Sequence, residues 1–299
     1  MLAGEERQGP IGLAVSGGPD SLAVLLLAAV AYPGEIAVLS VDHGIRPEAA
    51  AEVGFVSEIC AGLGVPFAST KVELEPGNLQ AEARKARYKA LSLWADEARL
   101  GAVVTAHHAD DQAETLLMRL ARGSGISGLA GVRDWSTLPG SKVPLLRPLL
   151  TFGKAELEAV CRAAGVNPVR DPSNEDTSFD RVRVRQHLEE HDWLDPKMLA
   201  ASAAHLGEAA EVIAYYTQRE WQEQVSRNAE SFAYRRSAPV LVQIEIVRRV
   251  IAELGGGVSR AEAARAVERL HGGENASLGG VLGVPKRGCW HFSPEPPRS

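Results

Sequence analysis

Ser16-Gly17-Gly18-Pro19-Asp20-Ser21 stands between a short apolar run, Ile11 to Val15, and an Ala/Leu-rich stretch, Leu22 to Val30. A strand, a tight glycine turn and a helix start therefore meet at one point, which is how a chain builds a cradle for phosphate. Gly17 and Gly18 let the backbone approach an anion, and the first N–H groups of the following helix point at it. Pro19 removes one donor but sets the helical turn in advance. The loop has no Lys, which a Walker A loop would use to hold the β and γ phosphates, so the nucleotide site is of another kind. An ordinary strand-to-helix turn is the plainer alternative.

The 299 residues, 45% of them apolar, can bury a full core and predict one large domain with a smaller one. Met1 to Pro10 carries Glu5, Glu6 and Arg7 without the apolar stretch of a signal peptide, and no run of about 18 apolar residues exists to span a bilayer. No membrane contact is expected, and the cytoplasm is the expected compartment. Cys60, Cys161 and Cys289 are far apart and form no C-x-x-C pair, so neither a disulfide framework nor a metal site is expected from them. The net charge of −6 argues against a general nucleic-acid binder. Residues 1–190 hold 19 Lys+Arg against 25 Asp+Glu, and residues 191–299 hold 13 against 13. RNA would have to use local patches such as Arg84, Lys85, Arg87 and Lys89, or Arg181, Arg183 and Arg185. Composition alone favours solvated helix faces for both.

Ile36 to Val41, Pro66 to Lys71 and Ala102 to Ala106 repeat the β-like pattern of the first run, with helical periodicity over Glu48 to Leu63, Asn78 to Arg99 and Asp110 to Arg122. This alternation predicts an α/β fold with a doubly wound parallel sheet, and ligands at the carboxyl ends of its strands. Three polar clusters fall at those ends: the Ser16 loop, Asp42-His43-Gly44, and His107 to Asp111. Near Asp42 and His43, backbone groups would line adenine and ribose while Arg46 reaches a phosphate. A turn in which Asp42 and His43 bond their own backbone is the alternative. In the third cluster, a helix starting near Asp110 puts Asp111 and Glu114 on one face, i and i+3, a pair suited to an ammonium group or Mg²⁺. Acidic residues also collect at helix starts for dipole reasons, and Asp110 reads as a cap. His107 and His108 lack the spacing and cysteine partners of a zinc site. Gly123-Ser124-Gly125-Ile126-Ser127-Gly128 matches a dinucleotide string but follows a helix, and reads as a flexible loop.

After about residue 190, Asp195 to Arg227 and Ala238 to Leu254 read as helical. Ser259-Arg260-Ala261-Glu262 opens a further helix to His271 with a capping box, and Gly279 to Phe292 is β-like. We expect a catalytic domain over 1–190 and a smaller, mostly helical domain over 191–299, with short terminal strands, which either helps to select RNA or only packs.

The loop resembles the PP-loop of N-type ATP pyrophosphatases. In order from Ile11 to about Leu188 the chain further resembles the tRNA(Ile)-lysidine synthases. The resemblance rests on the Ser16 loop, Val41 to Arg46, Asn78 to Tyr88, Ala106 to Thr115, Leu120 to Gly125, Leu146 to Leu150 and Arg170-Asp171-Pro172-Ser173-Asn174. It implies ATP-dependent attachment of L-lysine to the wobble cytidine of a CAU anticodon in isoleucine tRNA. It implies that Ser16, Gly17, Gly18, Pro19, Asp20 and Ser21 hold the phosphates, with Mg²⁺ near Asp20, and that Asp42, His43 and Arg46 bind the nucleotide. Asp111 and Glu114 would grip lysine, His107 would orient groups at the reacting centre, and Asp20 would join them in catalysis. Glu82, Arg84, Arg87, Arg122, Arg181 and Arg185 would face substrate. A homodimer is compatible with the family. Two departures stand out: Arg181-Val182-Arg183-Val184-Arg185 has Val182 where relatives usually have Asn, and the further C-terminal domain of many relatives is not evident. The rivals are another adenylating PP-loop enzyme, acting in tRNA thiolation or small-molecule amidation, and a homologue that binds tRNA without turnover. The missing C-x-x-C counts against cluster-dependent thiolation.

Overall fold

The computed structural model describes residues 9–44, 49–73, 79–169 and 180–295. The chain first forms β1 (Ile11–Ala14), α1 (Pro19–Ala31), β2 (Ile36–Asp42), α2 (Ala49–Leu63), β3 (Phe67–Lys71), α3 (Leu79–Glu97), β4 (Ala102–Val104) and α4 (Ala109–Leu120). Then follow α5 (Ile126–Leu129), β5 (Trp135–Thr137), β6 (Pro144–Leu146), α6 (Lys154–Ala163) and α7 (Asp180–Glu190). The sheet order is β3-β2-β1-β4-β6-β5, parallel throughout except for β5, which runs antiparallel at one edge. The chain moves outward from β1 to β3 and returns on the other side of β1 as β4. That reversal leaves a crevice beyond the carboxyl ends of β1 and β4, the place where open α/β sheets bind ligands.

Alternation along the strands explains why helices cover both faces. Val38 joins Leu13, Leu22 and Leu25, with Val56 and Cys60 of α2 and Leu157 and Cys161 of α6, on one side. Its neighbour Leu39 joins Val103 and Leu145, with Tyr88, Leu91 and Ala95 of α3, on the other. Each fully buried Leu or Val of this kind contributes about 1.5–3 kcal/mol. At Gly12 a Cβ would lie 2.4 Å from Leu100 and 2.6 Å from Trp94, so the missing side chain is what lets that layer close on β1. Part of the Gly123–Gly128 string, expected as a loop, forms the single turn α5.

By contacts among its residues the chain divides into one unit of Met1–Ser124 with Gly128–His205, and a second of Gly125–Ser127 with Leu206–Ser299. The division falls within α8 (Pro196–Gln224). The second unit continues with β7 (Val225–Asn228), β8 (Ser231–Arg235), α9 (Val240–Glu253), α10 (Arg260–His271), β9 (Ala276–Leu278), β10 (Val281–Lys286) and β11 (Cys289–Pro294). Its antiparallel sheet has the order β7-β8-β11-β10-β9. Phe232, Tyr234, Trp290 and Phe292 pack from the sheet against Ile246, Val247, Val250 and Ile251 of α9 and Val267 and Leu270 of α10. The hairpin β7–β8 departs from the expected helix to Arg227. Its turn carries Ala229 at φ +42° and lacks the Asn-Gly or Asp-Gly signature that announces such hairpins. The capping box is present: Ser259 Oγ accepts from Glu262 N–H at 3.2 Å, and Ser259 N–H donates to Glu262 Oε2 at 2.7 Å. Among the described residues no helix is long and apolar enough to cross a membrane.

Candidate active site

The Ser16–Ser21 loop leaves β1 through Gly17, whose φ of +88° is left-handed and strained for other residues. Gly18 is the N-cap of α1 and Pro19 opens the helix. Gly18 has no side chain with which to cap the first turn, so the N–H groups there are left for an anion. Ser21 fixes the loop from within, its Oγ accepting from Ser16 N–H at 3.1 Å and donating to Gly18 O at 3.0 Å. Ser16 Oγ lies 3.3 Å from Ser21 Oγ. Ser40 Oγ–H donates to Val15 O at 2.6 Å, and Val169 N–H donates to Gly17 O at 3.0 Å.

The second polar cluster is only partly placed at the site. Asp42 Oδ1 accepts from Gly44 N–H at 2.7 Å, so it makes the local turn weighed as the alternative. His43 has its pKa lowered, first by burial and then by Arg87. Its Nδ1 is buried without a partner among the described residues. Arg46 and Arg170 to Asn174 lie outside the described residues.

At the end of β4 the helix α4 begins one residue earlier than expected. His108, not Asp110, is its N-cap, and Asp111 Oδ2 accepts from His108 N–H at 3.1 Å, with no bond from the His108 side chain to cap the turn. Asp110 reaches elsewhere: its Oδ2 accepts from Lys154 N–H at 2.8 Å and lies 3.2 Å from His108 Nδ1. His108 is buried among three carboxylates, with Nε2 3.5 Å from Asp20 Oδ2 and 3.6 Å from Asp111 Oδ2. Burial alone would lower its pKa, but Asp110 and Asp20 outweigh it and raise the value to about 10. The ring is therefore an imidazolium at neutral pH. His107 is its opposite. Burial lowers its pKa to about 4, against the pull of Asp111 and with smaller help from Arg147, Arg87 and Arg84, and its Nδ1 lies 3.0 Å from Thr105 Oγ1.

Glu114 is 1% exposed. Its carboxylate accepts from Arg181 Nε–H and, at 2.7 Å, from Arg185 Nε–H. A second Arg181 nitrogen donates to Asp111 Oδ1 at 2.8 Å. Burial pushes the Asp111 carboxyl up, but His108 and Arg181 more than offset it, so its pKa is lowered. Helix α7 thus presents Arg181 and Arg185 to the acidic face of α4. Val182 between them is buried, so this departure from the usual Asn sits at a packing position.

The structure joins Asp20, Asp111, Glu114, Arg181 and Arg185 through His108 into one polar network. Arg87 is mostly buried beside it, its pKa lowered by desolvation, with Tyr88, Asp111 and Arg181 contributing to the field. Other expected residues bond elsewhere. Arg122 pairs with Asp180 at 3.1 Å in an exposed position. Arg84 donates to Tyr88 Oη at 3.3 Å and lines a groove with Lys89 and Pro139. Glu82 pairs with Lys85 at 3.6 Å. Sequence reasoning missed His108 and Arg147, although both lie in segments that carry the family resemblance. Arg147 is buried and donates to Arg133 O at 2.7 Å and to Ser136 Oγ at 3.2 Å.

A profile of the PP-loop domain matches residues 2–191. Over 97% of this chain and 90% of its own length, the tRNA(Ile)-lysidine synthase of Novosphingobium aromaticivorans is 44% identical. The enzyme of the same name from Zymomonas mobilis is 40% identical over the same shares. The chain belongs to the tRNA(Ile)-lysidine synthase family. The lysidine synthase of Ruegeria pomeroyi is 37% identical over 91% of this chain and 68% of its own. Membership makes the protein an enzyme and its PP-loop an ATP site. Among solved structures, a U34-tRNA thiolase from Methanococcus maripaludis with its [4Fe-4S] cluster superposes with a TM-score of 0.57 at 16% identity, covering 69% of this chain and 75% of that one. That likeness concerns the fold alone.

Proposed function

We propose that this chain ligates L-lysine to C2 of the wobble cytidine in the CAU anticodon of isoleucine tRNA, in the cytoplasm. The C2 oxygen of cytosine is a poor leaving group. In the first step it attacks the α-phosphorus of ATP, and pyrophosphate departs. In the second the neutral ε-amine of lysine attacks C2 and AMP leaves with the former C2 oxygen. The anticodon loop is single-stranded, so its base reaches a pocket without unpairing a duplex.

Ser16, Gly17, Gly18 and Ser21 with the first turn of α1 take the phosphates. Asp20 Oδ1 is buried without a partner among the described residues, an oxygen that fits a hard cation. Mg²⁺ held there would offset the charge of the leaving pyrophosphate. Asp111 and Glu114 take the lysine, and His107, neutral at pH 7, can accept or donate a hydrogen bond at the reacting centre without bringing charge. Glu114 already bonds Arg181 and Arg185, and Asp111 bonds Arg181, so an incoming ammonium shares or exchanges a cation partner. Asp42, His43 and Arg46 would serve the nucleotide, and Glu82, Arg84, Arg87 and Arg122 the RNA.

The observation that carries the reading is the continuous link from Asp20 of the phosphate loop through His108 to Asp111. It supports reading Asp111 and Glu114 as an ammonium-binding pair beside an adenylating loop. Cys60 and Cys161 are buried, and burial raises the pKa of both thiols, so neither is poised to carry sulfur. The test is pyrophosphate release from ATP without lysine. Release that requires an isoleucine tRNA bearing CAU, with an adenylated RNA product, supports the scheme; release that ignores the RNA, or none from a folded, ATP-binding sample, rejects it.

A further inference from the structure

The C-terminal end of α7 and the residue that follows it carry His187-Leu188-Glu189-Glu190-His191, a cluster that lysidine formation does not use. One donor atom each from His187, Glu190 and His191 lies within 4.8 Å of the other two, and all three residues are exposed. His187 Nδ1 is 3.4 Å from Glu190 Oε2. His191 Nδ1 lies 2.8 Å from the carbonyl oxygen of His187, one of the last acceptors of the helix. A carbonyl can only accept, so Nδ1 of His191 carries the proton and the ring's lone pair sits on Nε2. A backbone acceptor on one imidazole nitrogen is the arrangement that orients metal-binding histidines.

The charge distribution points the same way. Between Arg185 and Lys197 the chain has Glu189, Glu190, Asp192 and Asp195 and no Lys or Arg, and a helix C-terminus itself favours a cation. Two imidazoles and one carboxylate are a borderline donor set, suited to Zn²⁺, Ni²⁺ or Cu²⁺ and poorly to Mg²⁺ or Ca²⁺. We propose that His187, Glu190 and His191 form a surface site for one divalent transition-metal ion, with Zn²⁺ its occupant. Water completes the coordination. A bound ion ties the last turn of α7 at i, i+3 and i+4, in the same helix that presents Arg181 and Arg185 to Asp111 and Glu114.

The test is calorimetric titration of Zn²⁺ into the untagged, EDTA-stripped full chain. One Zn²⁺ per chain with micromolar affinity is expected, and His187→Ala and His191→Ala should each weaken it about tenfold or more. Both side chains are exposed, so the variants should fold, which circular dichroism checks. Cobalt(II) should give visible ligand-field bands that the double variant loses. Zinc binding unchanged in the double variant, or displaced as readily by Mg²⁺, would overturn the assignment.

Discussion

At the scale of single residues the site turns on a histidine pair that sequence alone cannot divide. His107 and His108 are adjacent and chemically identical, yet one is held neutral by burial and the other charged by carboxylates. The His108 pKa is raised above its ordinary 6.5, so its ion pairs stabilise the fold fully below pH 6.5, and that stability is lost as pH rises through about 10. Denaturant unfolding of His108→Gln against the parent should show a stability gap at pH 6 that narrows toward pH 10; a gap independent of pH would contradict the protonation state. For Asp111, substitution by Asn preserves an oxygen acceptor for the helix cap while removing the charge. Asp111→Asn should raise the KM for lysine at least tenfold while tRNA adenylation stays measurable. Glu114→Ala strands two arginines; both are partly exposed and can take up water, so the cost expected from denaturant melts is about 1–3 kcal/mol. Residue types and spacing made the acids and the loop legible. The partner of each was not, because Arg181 reaches Asp111 across 70 positions of sequence.

At the scale of elements, the strands and helices around the crevice follow from periodicity, since a parallel sheet buried on both faces writes nearly continuous apolar runs. Helix starts were less legible. His108 takes the N-cap position of α4 with its backbone N–H held by the Asp111 carboxylate, whereas Asp110, the residue with the better capping chemistry, is drawn to the N-terminus of α6. Ser259 in α10 shows the opposite case, a local Ser-x-x-Glu motif that needs no distant partner to be read. Ser259→Ala should lower stability by about 1 kcal/mol in thermal or denaturant melts. Gly12→Ala should cost about 1–3 kcal/mol by forcing Trp94 and Leu100 aside.

At the scale of the whole molecule, the order of motifs says more than any single one. The PP-loop alone marks a broad class of ATP-using enzymes, while the likeness to the lysidine synthases extends over 97% of the chain. The strand order β3-β2-β1-β4 brings the loop and the acid block to one crevice, although Ser21 and Ala106 are 85 positions apart in sequence. The most direct measurement is ATP-dependent transfer of labelled lysine by the purified protein, with Mg²⁺, to an isoleucine tRNA transcript bearing CAU, beside a methionine tRNA with the same anticodon. Label in the isoleucine tRNA alone is the predicted result. Pyrophosphate release without label in either RNA would contradict lysine as the nucleophile, and label in both would contradict the selection of the isoleucine tRNA.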